Sequence, residues 1–198
     1  MNIGFLASHG GSNMQAIIDA CKSGKLRATP AVVISNNSGS GAITRARNEG
    51  IPCYYLSGKT HPEPEELDRA ILDTFLRHSV NVVVLAGYMK KLGPKTLSRF
   101  RGRILNIHPA LLPKFGGKGM FGIHVHEAVI AAGEKESGVT IHLVDENYDT
   151  GTIIAQTKVP VMPDDTPESL AARVLEQEHI LYPETLRRIV TGEISLSS

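Results

Sequence analysis

The sequence has few cysteines, almost no net charge and no long apolar run. Cys21 and Cys53 lie far apart in no C-x-x-C pattern, which indicates reduced thiols in a cytosolic protein rather than a disulfide scaffold. Lysine plus arginine number 21 and aspartate plus glutamate 20, so the formal net charge is +1. This balance argues against a nucleic-acid binder that neutralises phosphates and against a polybasic membrane anchor. No stretch approaches the roughly 20 apolar residues of a membrane span, and the first residues show no signal-peptide pattern.

What remains is the composition of an ordinary globular chain. Hydrophobic residues make up 41% of the 198 residues and charged residues 21%, which is close to average usage. A chain of this length buries roughly 70% of its unfolded surface when it folds. We find no internal repeat, low-complexity tract or linker, and we therefore expect a single domain over residues 1–198, located in the cytoplasm.

Apolar runs alternate with amphipathic segments along the chain. Predicted strands cover residues 2–7, 30–35, 52–56, 81–86, 103–107, 138–145 and 152–161. Strands that are near-continuous apolar runs separated by helices indicate βαβ units and a parallel sheet covered on both faces. The last two strands are expected to form a hairpin, followed by a long terminal helix from about Pro167 to Val190 with Thr166 as its N-cap. The prediction is an α/β, Rossmann-like, mostly parallel sheet flanked by helices.

The turn after the first strand is rich in small residues. Its sequence, SHGGSN at 8–13, combines glycines with the start of a helix, whose backbone N–H groups attract anions. It matches neither the dinucleotide fingerprint nor the P-loop, so it favours at most one phosphate. A tight turn that needs glycine dihedral angles explains the same residues about equally well.

Asn106 and His108 lie at the carboxyl end of the fifth predicted strand. Ligands of open α/β sheets bind at the carboxyl ends of strands, and strand alternation places both side chains on one side. An amide beside an imidazole suits stabilisation of an oxyanion together with proton transfer. The alternative is a histidine that merely hydrogen-bonds a loop carbonyl.

Three carboxylates, Asp145, Glu146 and Asp149, occur shortly before Gly151. They form a solvated turn, or one of them faces the Asn–His pair and orients the histidine or a water. A zinc site is disfavoured because the two histidines of H-x-H at 124–126 have neither a cysteine partner nor H-E-x-x-H spacing. The sequence also lacks the G-x-S-x-G elbow of serine hydrolases.

Four segments together resemble one family. They are GGSN at 10–13, VVVLAGYMKKL at 82–92, ILNIHPALLPKF at 104–115 and D-x-x-x-D-T-G at 145–151. The run N-I-H-P-A-L-L-P resembles the formyltransferases that use formyltetrahydrofolate. GSN at 11–13 and QEH at 177–179 narrow the resemblance to the glycinamide ribonucleotide transformylases of purine synthesis, and the similarity covers essentially the whole chain.

The resemblance implies transfer of a formyl group from 10-formyltetrahydrofolate to glycinamide ribonucleotide, with no metal and only small-molecule partners. The matching catalytic positions are Asn106, His108 and Asp149. The ribonucleotide positions are Gly11, Ser12 and Asn13 for the phosphate and Glu178 for the ribose. The folate positions are Met89, Lys90, Lys91, Leu92, Asp145, Asn147 and Asp149. It also implies a supporting role for His142, a cis bond at Leu112-Pro113 and a monomer or homodimer.

By the same resemblance, protonated His108 and Asn106 would stabilise the oxyanion, and Asp149 would either keep His108 protonated or position a water that carries the proton. A carboxylate beside an imidazole raises the imidazole pKa, so we expect a raised pKa for His108. The sequence departs from the family at Lys90, where many members have arginine, and at Pro64, where some have arginine. Residues 116–122 form a longer loop than in the shorter bacterial members.

Three rival functions are weighed against this one. Methionyl-tRNA formyltransferase shares the N-I-H-P core but needs a basic C-terminal domain, and formyltetrahydrofolate deformylase normally carries an extra N-terminal regulatory domain. A non-enzymatic nucleotide-binding module is the third, and it requires the Asn–His–Asp set to be a coincidence.

Overall fold

The computed structural model describes residues 1–196, within which the chain forms seven strands and six helices. The strands are β1 (Asn2–Ala7), β2 (Thr29–Ser35), β3 (Cys53–Tyr55), β4 (Val82–Leu85), β5 (Ile104–His108), β6 (Glu136–Leu143) and β7 (Ile153–Pro160). The helices are α1 (Ser12–Lys22), α2 (Gly41–Asn48), α3 (Pro64–Arg77), α4 (Pro94–Arg99), α5 (Ile123–Ala131) and α6 (Pro167–Val190). None of these helices is both long and apolar enough to span a membrane.

The strands pair into one sheet in the order β3-β2-β1-β4-β5-β6-β7. The pairs from β3 through to β5 are parallel, whereas β5–β6 and β6–β7 are antiparallel. The chain order reverses between β1 and β4, because β1 continues outward to β2 and β4 continues outward to β5. Such a switch point opens a crevice at the carboxyl ends of the strands, where ligands of open α/β sheets bind. The predicted fold, including the C-terminal hairpin and the long terminal helix, is confirmed.

Both faces of the central parallel strands are buried, which explains why β1 and β4 are almost entirely apolar rather than alternating. One face packs against α1, α5 and α6 and includes Phe5 and Val84. The other packs against α3 and includes Leu6 and Val83. Neighbouring residues of one strand therefore belong to different cores, as the two-residue period of a strand requires.

Helix α6 begins and ends where the sequence predicts. The Thr166 side chain accepts a hydrogen bond from the Ser169 N–H at 3.2 Å, and the Ser169 side chain bonds back to the Thr166 N–H, which together cap the first turn. Tyr182 is fully buried, and its hydroxyl lies 3.1 Å from the carbonyl oxygen of Leu85 in β4 and 2.9 Å from that of Leu105 in β5. The helix is thereby anchored to the two strands beside the switch point.

Candidate active site

Asn106 and His108 project from the same side of β5, and the adjacent strand β6 supplies a second histidine. The antiparallel register places His142 opposite Asn106, with 3.1 Å between Asn106 Nδ2 and His142 Nε2. His142 Nδ1 donates to the Leu143 carbonyl at 2.9 Å, because a carbonyl oxygen can only accept. In the neutral ring Nε2 is therefore free to accept the hydrogen bond from the Asn106 amide.

Asp149 completes the group from the loop between β6 and β7. One carboxylate oxygen lies 3.6 Å from His108 Nδ1 and the other 3.4 Å from His142 Nε2. The residue has φ +58°, a left-handed conformation that aspartate and asparagine tolerate better than most side chains. Its carboxylate also accepts the Gly117 N–H at 2.9 Å. The structure thus brings together all three residues that the sequence assigns to catalysis.

The pKa of His108 is shifted in the direction opposite to the one expected from the sequence. The side chain is only 4% exposed, and this burial lowers its pKa by more than the Asp149 charge and the Phe115 carbonyl raise it. The expected rise in the His108 pKa is therefore wrong, because the sequence could not weigh desolvation against the nearby carboxylate. For Asp149 the balance goes the other way. Burial would raise its pKa, but the His142 imidazole 3.4 Å from Oδ1, the Gly117 N–H and the nearby His108 lower it overall.

The second loop carboxylate has a structural role. Asp145 Oδ1 accepts the Asn147 N–H at 2.8 Å and the Thr150 hydroxyl at 2.9 Å. These bonds close the turn that carries Asp149. The Asp145 side chain is exposed and makes no ion pair with His108 or His142 within the described part of the chain.

The predicted ribonucleotide residues also converge. Gly11 has φ +72° at the start of α1, and a Cβ there would lie 2.9 Å from that of Ala42, so glycine is required twice over. Ser12 and Asn13 form the first turn of α1. Asn13 Nδ2 donates to Glu178 Oε2 at 2.5 Å. Burial of the Glu178 side chain, which is 7% exposed, raises its pKa, and the Asn13 hydrogen bond offsets part of that rise.

Two cavities meet at the Asn–His–Asp group. The first, of about 910 Å³, extends from the glycine turn and Glu178 past His108 to the loop before α5. The second, of about 750 Å³, extends from the loop after β4 past His142 to the loop between β6 and β7. The residues that line both cavities are Tyr88, Asn106, Tyr148 and Asp149. A group held in one cavity can therefore reach a group held in the other at Asn106 and Asp149.

Most of the predicted folate residues line the second cavity. These are Lys90, Lys91, Leu92, Asp145, Asn147 and Asp149. Met89 lines the first cavity instead, and its backbone N–H donates to the Ser8 hydroxyl at 2.8 Å. Among residues 1–196, no cluster of three histidine, cysteine or acidic side chains has an arrangement suited to a metal ion.

Sequence reasoning missed two tyrosines and two backbone groups. Tyr88 and Tyr148 line both cavities, and burial raises the Tyr88 pKa to about 12. Their positions within the A-G-Y and D-x-x-x-D segments were the available signal. The Phe115 carbonyl and the Gly117 N–H, which contact His108 and Asp149, left no signal in side-chain chemistry.

Comparison with known proteins identifies the family. The model of the formyl transferase family matches residues 1–186. A chloroplastic phosphoribosylglycinamide formyltransferase of Vigna unguiculata is 47% identical over 188 aligned residues. The alignment covers 94% of this chain but only 60% of the relative's length. The Escherichia coli phosphoribosylglycinamide formyltransferase is 39% identical over 196 residues, covering 99% of this chain and 90% of the relative.

A solved structure leads to the same family. The phosphoribosylglycinamide formyltransferase of Bacillus halodurans superposes with a TM-score of 0.90 at 39% identity, covering 99% of this chain and 98% of that one. Similarity of this extent includes the sheet, the hairpin and α6 together. The chain therefore belongs to the formyl transferase family and, within it, to the phosphoribosylglycinamide formyltransferases.

Proposed function

We propose that this chain transfers the formyl group of 10-formyltetrahydrofolate to the primary amine of glycinamide ribonucleotide. The products are N-formylglycinamide ribonucleotide and tetrahydrofolate. The observation that carries the proposal is the junction of two cavities at Asn106 and Asp149, since transfer between two bound substrates needs a shared wall that holds the catalytic groups.

The first cavity suits the ribonucleotide. The N-terminus of α1 presents backbone N–H groups to a phosphate, with Gly11 allowing close approach. Glu178 offers a carboxylate to the ribose hydroxyls, and it is already aligned by Asn13. Asn13 Oδ1 is buried without a partner in the described structure, so this amide retains capacity for a ligand donor.

The second cavity suits the folate. Leu85, Leu92 and Val144 provide apolar lining for a flat ring, and the loop between β6 and β7 forms another wall of the cavity. Lys90 supplies a single point charge where many family members have the planar fork of arginine, so hydrogen bonding to a folate carbonyl differs in geometry here.

The chemistry assigned to the junction is acyl transfer assisted by proton transfer. The Asn106 amide donates to the formyl oxygen as negative charge develops on it. Because burial lowers the His108 pKa, we assign the neutral imidazole as the group that accepts the proton lost by the attacking amine. Asp149, 3.6 Å from His108 Nδ1, stabilises the imidazolium that forms. The same proton then passes to the departing folate nitrogen, so that no net proton is gained or lost.

The test is a formyl-transfer assay with 10-formyltetrahydrofolate and glycinamide ribonucleotide, with ribonucleotide-free and initiator-tRNA lanes beside it. We expect turnover that depends on the ribonucleotide and is lost in His108→Ala. Folate breakdown without the ribonucleotide would indicate a deformylase, and turnover on initiator tRNA a methionyl-tRNA formyltransferase. No turnover from a folded protein would reject the enzyme and favour a binding module.

Further aspects of the proposal extend beyond the reaction. We infer that residues 1–198 act as one domain in the cytoplasm, without a metal and without nucleic-acid or membrane partners. The expected assembly is a monomer or homodimer, which sedimentation of the purified chain would distinguish.

A further inference from the structure

A short backbone segment, Phe115–Gly117, contacts both ionisable residues of the candidate active site. The Phe115 carbonyl oxygen lies 2.7 Å from His108 Nε2, and the Gly117 N–H donates to Asp149 Oδ2 at 2.9 Å. One short segment therefore presents an acceptor to the imidazole and a donor to the carboxylate. We call residues 115–117 the bracket.

The chain before the bracket is bound tightly to the sheet. The buried Thr140 hydroxyl donates to the Ala110 carbonyl at 2.6 Å and accepts the Leu112 N–H at 3.1 Å. The Gln156 amide donates to the Leu112 carbonyl at 3.0 Å. These bonds fix the loop to β6 and β7 up to three residues before the bracket.

The bracket itself has an unusual backbone that the sequence accommodates with glycines. Phe115 has φ +55° and Gly117 has φ +94°, both in the region that L side chains rarely adopt. Gly116 packs so closely that a Cβ would lie 2.4 Å from Leu112 Cδ2 and 3.2 Å from Asp149 Cβ. A non-glycine residue in this conformation is typical of functional sites, where surrounding contacts maintain it.

The Phe115 contact determines which nitrogen of His108 exchanges a proton. A carbonyl oxygen only accepts hydrogen bonds, so Nε2 must carry a hydrogen whether the ring is neutral or charged. Nδ1 is then the nitrogen that is bare in the neutral ring, and it is the one that faces Asp149. The other titratable groups around His108 are His142 on β6 and His126 on α5.

We propose that the bracket is a positioning element, which holds His108 in the Nε2–H tautomer and directs the Asp149 carboxylate at Nδ1. This inference rests on the proposed function, since it names the nitrogen through which the transferred proton passes. It assigns a role to two backbone groups, the Phe115 carbonyl and the Gly117 N–H.

The chain offers a matched pair of variants for the test. Gly117 and Gly119 have φ of +94° and +90°, and a Cβ at either would have no neighbour within 4 Å. Alanine therefore strains both positions alike, but only Gly117 donates to Asp149. Gly116→Ala is a second probe, because its added Cβ would collide with Leu112 Cδ2 and displace the bracket. The substitution leaves every backbone N–H in place.

The first measurement is ¹⁵N NMR of the full chain labelled in histidine, with the His108 signals assigned by their loss in His108→Ala. We expect neutral His108 to carry its hydrogen on Nε2. In Gly117→Ala we expect altered His108 nitrogen shifts, a displaced pH–rate profile and a kcat lowered about 10- to 100-fold. Gly119→Ala should retain the wild-type His108 nitrogen shifts, because Gly119 lines the first cavity but makes no hydrogen bond to Asp149, whereas Gly116→Ala should change them.

Three results would overturn the proposal. They are a neutral His108 protonated on Nδ1, a Gly117→Ala variant with wild-type nitrogen shifts and pH profile, and equal changes in both matched variants. The tautomer measurement needs no turnover. An Nε2–H tautomer that responds to Gly117→Ala in a chain without formyl transfer would support the bracket and reject the proposed function.

Discussion

Replacing Asp149 with asparagine tests the electrostatic core of the proposed mechanism. The change removes one negative charge, keeps the side-chain shape, and leaves an amide oxygen that can still accept the Gly117 N–H. Asparagine also tolerates the left-handed backbone at this position, whose φ is +58°. The fold should therefore survive, and the effect should come from the lost charge.

The magnitude follows from the distance between the two charges. Asp149 lies 3.6 Å from His108 Nδ1, and their side chains are 11% and 4% exposed. At an effective dielectric constant of about 20, opposite charges at this separation attract by roughly 4 to 5 kcal/mol. If most of that attraction stabilises the imidazolium in the transition state, kcat falls about a thousandfold. Desolvation and the remaining dipoles reduce the effect, so we expect a loss of about 10²- to 10³-fold.

Asp145→Asn is the matched control in the same loop. The Asp145 oxygens accept hydrogen bonds from Asn147 and Thr150, and an amide oxygen can accept them as well. We expect its kcat within about tenfold of wild type, because the turn persists and no buried charge is lost. Both variants are assayed at saturating concentrations of both substrates, with thermal unfolding as the check on folding. Wild-type turnover in Asp149→Asn, or the reverse ranking of the two variants, would refute the reasoning.

Three further predictions concern binding and stability. Asn13→Leu removes the amide that aligns Glu178 and should raise the KM for the ribonucleotide without changing the folate KM; an unaltered ribonucleotide KM would contradict the assignment of this cavity to the ribonucleotide. Burial lowers the pKa of both His108 and His126, so below pH about 6.5 the unfolded chain binds more protons and the free energy of unfolding falls. Each histidine contributes at most about 1.4 kcal/mol per pH unit to this fall. Urea titrations between pH 6.5 and 5 should show that the free energy of unfolding changes less steeply with pH in His126→Leu than in wild type. An identical pH dependence would contradict the lowered pKa of His126. In Gly138→Ala the new Cβ would lie 2.3 Å from a backbone carbonyl, which should cost about 1–3 kcal/mol, whereas Gly58→Ala, with open space, should unfold at nearly the wild-type urea concentration.

Local patterns predicted the fold well because they coincide with its physical causes. The apolar runs that became β1 and β4 are buried on both faces, and Thr166 lies where the capping bonds of α6 require it. Even Pro183 did not break the predicted helix, which the structure shows to be continuous from Pro167 to Val190. Residue type and spacing are sufficient for elements of this kind.

The site was harder to predict from the sequence, because its properties arise from packing between distant segments of the chain. The separate positions of Asp145 and Asp149 depend on a turn whose hydrogen bonds no pattern specifies. The lowered His108 pKa depends on how completely the folded chain buries the ring. The contacts of Phe115 and Gly117 come from the backbone, which every residue type shares, so side-chain identity could not indicate them.

The Tyr182 hydroxyl ties the helix that carries Glu178 to the two strands that lead into the candidate active site. Its single hydrogen is shared between carbonyl oxygens of β4 and β5, and Glu178 lies one turn earlier on the same helix. The phenol therefore helps to fix the position of the Glu178 carboxylate relative to the amide of Asn106. Under the proposed function, a shift of this helix would move Glu178 relative to Asn106, so the spacing of the two proposed substrates depends on hydrogen bonds made in the protein core.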